Sequence, residues 1–104
     1  MSRLSTRLKK IKNSEGKTLV AYLVAGDPTL DTTVPLMHDM VAAGVDVFEV
    51  GMPFSDPEAE GPIIQQAHER ALKHKISLSD ILEMVSKFRE HDETTPVILM
   101  GYLN

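Results

Sequence analysis

Apolar and polar residues follow two different periods along this chain, and the switches between them mark out its elements. Leu4, Leu8 and Ile11 recur at i, i+4, i+7 among Arg and Lys, which predicts a short amphipathic helix that Asn13-Ser14-Glu15-Gly16 breaks. Thr18 to Val24 is rich in β-branched and apolar residues, long enough for a strand and too short for a helix. It stops at Gly26-Asp27-Pro28, where the proline also biases Asp27 away from helix. Leu30, Val34, Met37 and Val41 return to helical spacing. Pro35 inside that stretch predicts a helix start near Asp31 or Thr32, and Gly44 supplies a left-handed stop. Val45 to Val50 reads as a second strand, interrupted by Asp46 and Glu49. A loop from Gly51 to Gly61 leads to a helix opening on Pro62, with Ile63, Ala67 and Ala71 on its buried side. Ser77 and Asp80 have the spacing of a helix cap ahead of an apolar face made by Leu78, Ile81, Leu82, Val85 and Phe88. Thr95 to Met100 is the third strand, followed by Gly101-Tyr102-Leu103-Asn104.

The order is helix, then β-α-β-α-α-β. Strands alternating with helices imply an α/β fold with a parallel sheet and right-handed crossovers. Open doubly wound sheets and (β/α)8 barrels both begin this way, and periodicity does not separate them. Alternation along the second strand puts Val45, Val47 and Glu49 on one face and Asp46, Phe48 and Val50 on the other. Glu49 is therefore a carboxylate at the C-terminal end of an otherwise apolar strand. Parallel α/β folds bind ligands at that edge, and barrels build their active sites there. A carboxyl group in an apolar setting favours its neutral form, which suits a group that must both give and take a proton. The competing reading is a structural carboxylate paired with Lys or Arg at the sheet rim.

Composition narrows the classes. The 104 residues suit one domain, with 42% hydrophobic and 25% charged residues as in ordinary soluble proteins. A formal charge of −4 argues against nucleic acid, whose phosphates need a basic surface. No apolar run approaches the roughly 18 residues of a membrane span, and residues 1–12 lack the apolar core of a signal peptide. A cytoplasmic location is expected. Cysteine is absent, which removes disulfides and thiolate metal sites. His38, His68, His74 and His91 are scattered and expected on solvated helix faces, so no metal site is expected.

The loop after Glu49 carries two prolines that limit its freedom, then Glu58 and Glu60 before Gly61-Pro62. Acidic groups ahead of a helix are favoured by its dipole alone. The run Glu49-Val50-Gly51-Met52-Pro53-Phe54-Ser55-Asp56-Pro57, followed by Glu60-Gly61-Pro62 and Ile64-Gln65, nevertheless resembles the signature of tryptophan synthase α subunits. Ala25-Gly26-Asp27-Pro28, Ala43-Gly44-Val45-Asp46 and Pro96 to Asn104 match the same family in order and spacing.

That resemblance implies the N-terminal portion of a (β/α)8 TIM barrel that cleaves indole-3-glycerol phosphate to indole and glyceraldehyde 3-phosphate. It implies a partner, the β subunit of an α2β2 complex, which holds pyridoxal phosphate and receives the indole; this chain itself needs no cofactor. By the resemblance, Glu49 matches the general acid/base and Glu60 falls where the family usually has the aspartate that hydrogen-bonds the indole N–H. Tyr22, Met100 and Tyr102 match positions lining the substrate pocket. Asp56, Pro57 and Asn104 match positions that meet the β subunit. A barrel of this kind takes about 250 residues and usually holds phosphate after strands seven and eight. Residues 1–104 are accordingly expected to be a single incomplete domain that carries the acid/base residues without the phosphate site. The alternative expectation is a non-catalytic binding or assembly module for a β-type partner.

Overall fold

A computed structural model of the chain describes residues 2–14, 16–52, 61–72 and 76–101. In chain order these form α1 (Arg3–Asn13), β1 (Val20–Val24), α2 (Leu30–Ala42), β2 (Val47–Gly51), α3 (Pro62–Leu72), α4 (Leu78–Arg89) and β3 (Val97–Met100). The strands lie in the order β1-β2-β3 and pair in parallel, as the alternation of strands and helices predicts.

The two faces of the sheet have different surroundings. Ala21 and Leu23 of β1, Phe48 and Val50 of β2 and Val97 of β3 meet α2 and α4 in one cluster. Met37, Ile81, Met84 and Phe88 supply the helix side of that cluster. Phe88 is fully buried, with its ring edge-on to Phe48 at 5.8 Å and stacked on His38 at 4.7 Å. The other face carries Val20, Tyr22 and Val24, then Val47, Glu49 and Gly51, then Ile98 and Met100. Val20, Ile98 and Met100 on that face are exposed.

Local chemistry sets the helix ends. Gly44, at φ +114°, ends α2: its N–H reaches the Val41 carbonyl and the Val45 N–H reaches the Met40 carbonyl. This left-handed stop also turns Val45 into the helix-side cluster. Val45 therefore does not share a face with Glu49, because strand alternation begins only at Val47. α2 starts at Leu30, earlier than Pro35 suggested. The carbonyl of Asp31, left without its i+4 donor by Pro35, belongs to an exposed residue and can be solvated. Ser77 and Asp80 form the reciprocal cap of α4: the Ser77 N–H donates to the Asp80 carboxylate at 2.9 Å, and the Asp80 N–H to the Ser77 hydroxyl at 3.2 Å. Ile81, Met84 and Phe88 bury the inner face of α4, whereas Leu78 and Leu82 are exposed.

The turn into β3 is built on Asp92. Its carboxylate accepts the N–H groups of Thr94 and Thr95 at 3.0 and 2.8 Å and the Thr95 hydroxyl at 2.6 Å. Arg89 closes the same turn by donating to the carbonyls of Asp92 and Thr95. Burial works against the ionised form of Asp92, but the hydrogen bonds from Thr95 and Thr94 and the charge of Arg89 outweigh it and hold the carboxyl below its ordinary value. A depressed carboxyl contributes stability that is complete above the unfolded value of about 3.9 and is lost as pH falls through the lower folded value. Asp92→Ala is expected to cost about 1–3 kcal/mol at neutral pH. Urea titrations should show that deficit holding from pH 7 to about 5 and narrowing below about 4; a deficit that widens in acid contradicts the assignment.

Candidate functional site

Register alone assembles the candidate site. Tyr22 pairs with Glu49 and Glu49 with Ile98, while Val24 pairs with Gly51 and Gly51 with Met100. In parallel strands paired residues project to the same side, so Tyr22, Glu49 and Met100 share the face turned away from α2 and α4. Glu49 is half-buried on this face. Among the described residues the ion pairs are Arg70 with Asp27 and Lys87 with Glu83, and no hydrogen bond or cation reaches the Glu49 carboxylate. The rim salt bridge that would make Glu49 merely structural is thus absent among them. A carboxylate with no partner among the described residues, beside an aromatic ring at a strand end, can exchange a proton with a ligand lying on that face.

Tyr22 is held from two sides. A Cβ built on Gly51 would collide with the Tyr22 hydroxyl and ring, so the ring lies across the backbone of Gly51, two residues beyond Glu49. The hydroxyl shares a hydrogen bond of 3.1 Å with His68 Nε2. His68 comes from α3, which packs Ala67 and Ala71 against Val24, with Tyr22, Ile64 and Ile76 around them. α3 is tied to the loop after β1 by a two-point ion pair, Arg70 Nε and Nη2 to the two carboxylate oxygens of Asp27 at 2.6 and 2.9 Å. Gly26 in that loop has φ +85° and lies under Ile76 with no room for a side chain.

These contacts correct several expectations. His68 is buried, at 1% exposure, and is not on a solvated face. His38 is half-buried against Phe88, and among the described histidines only His91 is exposed as expected. Ile63 is 79% exposed, because α3 turns the stripe Ile64, Ala67, His68, Ala71 inward, spaced i, i+3, i+4, i+7. That stripe was the available signal for His68. Glu60, Tyr102, Asp56, Pro57, Asn104 and His74 lie outside the described residues. Among the described residues no three His, Asp or Glu side chains converge as metal ligands, and no helix is long and apolar enough to cross a membrane. Surface grooves between α2 and α4 and beside α1 are lined by other residues than Glu49.

The sequence profile of the tryptophan synthase alpha chain matches residues 8–104. The chain belongs to that family. It is 58% identical over all its length to the tryptophan synthase alpha chain of Thioalkalivibrio sulfidiphilus and 59% identical to that of Acinetobacter baumannii, covering 39% of each. The crystal structure of tryptophan synthase subunit alpha from Legionella pneumophila superposes on the whole chain with a TM-score of 0.96 at 56% identity, 40% of that structure being covered. A chain of the tryptophan synthase complex from Pyrococcus furiosus matches 84% of this chain with a TM-score of 0.76 at 40% identity, over 35% of its own length. The three parallel strands and four helices are thus the N-terminal part of the tryptophan synthase alpha TIM barrel, and the chain spans about two-fifths of the length of its curated relatives. In barrel terms, the face bearing Glu49 is the interior face.

The close approach of Tyr22 to Gly51 makes a direct prediction. Gly51→Ala is expected to displace the Tyr22 ring and to destabilise the chain by about 1–3 kcal/mol through overpacking. A lowered urea midpoint with a changed environment for the Tyr22 ring in NMR spectra is the expected result, and a neutral substitution contradicts the packing.

Proposed function

We propose that this chain is the N-terminal part of a cytoplasmic lyase that cleaves indole-3-glycerol phosphate to indole and glyceraldehyde 3-phosphate, and that Glu49 is its general acid/base. The observation that carries the proposal is the Glu49 carboxylate itself, on the interior face next to Tyr22 and met by no cation among the described residues. Retro-aldol cleavage needs a proton delivered to indole C3 and one removed from the adjacent glycerol hydroxyl. A single carboxyl group between those two positions can serve both transfers in turn. Glu60 is assigned the hydrogen bond to the indole N–H, reaching one methylene further than the family's usual aspartate. Tyr22, Met100 and Tyr102 line the indole side of the pocket. Residues 1–104 form one incomplete domain, and the substrate's phosphate is held by the later βα loops of the barrel. Asp56, Pro57 and Asn104 face a β subunit, in which pyridoxal phosphate does the subsequent chemistry; the neighbouring Pyrococcus furiosus protein is described as an α2β2 complex.

The test combines this chain with the remaining portion of an alpha-chain barrel and follows cleavage of indole-3-glycerol phosphate. Activity is expected to return, and Glu49→Gln to lower kcat by at least about a hundredfold, the lower range for general acid–base groups. Restored cleavage that is indifferent to Glu49→Gln would remove the assignment. Complex formation with a β subunit but no cleavage would favour a binding or assembly role.

A further inference from the structure

Tyr22 carries a hydroxyl on a face where an apolar ring would fill the same space, and that hydroxyl is anchored. His68 reaches it from α3, across 46 residues of sequence, at 3.1 Å. A buried imidazole is costly unless its nitrogens are hydrogen-bonded, and His68 is at 1% exposure between the small residues Ala67 and Ala71. Those alanines let α3 approach Val24 closely enough for His68 to reach the hydroxyl. The Tyr22 ring has Gly51 beneath it and pairs in register with Glu49. Its direction on the interior face is thus set at both ends, by the absence of a side chain at Gly51 and by the imidazole at the hydroxyl.

We infer that His68 is a positioning residue, which fixes the Tyr22 ring as a wall of the pocket beside Glu49 and thereby sets how an aromatic substrate seats against that carboxylate. The inference rests on the reading of this face as the indole pocket. His68 acts through Tyr22 and touches no reacting atom, so its effect falls on substrate binding more than on the chemical step. A histidine that only filled space would act on stability alone, independently of the Tyr22 hydroxyl.

The experiment uses the assembled barrel, with kinetics on indole-3-glycerol phosphate and the NMR signal of 13Cζ-labelled Tyr22, assigned by its loss in Tyr22→Phe. His68→Leu is expected to raise KM about three- to tenfold, the worth of one buried hydrogen bond, with a smaller change in kcat. His68→Gln, which can present an amide near the position of Nε2, is expected to recover most of that loss. Tyr22→Phe should raise KM similarly, and His68→Leu should add nothing further in that background. The Tyr22 signal should shift in His68→Leu and return toward its native position in His68→Gln. If His68→Leu does not fold, the Gln and Phe variants decide: a native KM in Tyr22→Phe overturns the inference. An equal KM penalty for His68→Leu with and without the Tyr22 hydroxyl also overturns it, as does an unmoved Tyr22 signal with cleavage intact. Absence of cleavage by the unsubstituted barrel instead sinks the functional reading, and with it the pocket role of the pair.

Discussion

Parallel pairing in register commits alternate residues of β1, β2 and β3 to opposite sides of one sheet, and the remaining features of this chain depend on that commitment. One side is filled by α2 and α4, whose Met37, Ile81, Met84 and Phe88 close over Phe48 and Val50. Because that side takes Phe48 and Val50 of β2, the other side holds Val47 and the carboxylate of Glu49. A slip of one residue would exchange the two sets, burying Glu49 among Met37, Ile81, Met84 and Phe88 and turning Phe48 out of that cluster. The hydrophobic cost of that exchange is what keeps the Glu49 carboxylate on the interior face.

The same register explains why the site needs glycine and a second layer. Gly51 follows Glu49 on the interior face, and its missing side chain is the space that Tyr22 occupies. α3 then comes over the end of β1, held by Ala67 and Ala71 against Val24 and by Arg70 on Asp27. The ion pair is partly exposed, with Arg70 at 50%, so its contribution is geometric direction more than stability. His68 completes this layer by joining α3 to the Tyr22 hydroxyl.

Most of this was legible in the residues where period and chemistry agree. Alternation along Val45 to Val50 put Glu49 on the face it occupies, Gly44 ended α2, and Ser77 with Asp80 began α4. What was not legible depends on tertiary choice. α3 offers two overlapping stripes, one through Ile63 and one through Ile64 and His68. Only packing against β1 decides between them, and a histidine reads as polar until a partner for it is found. Val45 was misplaced for a related reason: it looks like strand, but the left-handed Gly44 before it hands it to the helix-side cluster. Leu78 and Leu82 fit the apolar pattern of α4, yet lie outside the arc that α2 and the sheet cover.

We propose that the Glu49 carboxylate, on the interior face beside Tyr22, stands where the substrate's reacting carbon lies. A structure of the assembled barrel with indole-3-glycerol phosphate bound tests it most directly. The expected result is the indole ring against Tyr22, and the Glu49 carboxylate within hydrogen-bonding reach, about 2.6–3.2 Å, of the glycerol hydroxyl next to indole C3. A substrate seated elsewhere, or a Glu49 carboxylate turned away and paired with a cation, would contradict it.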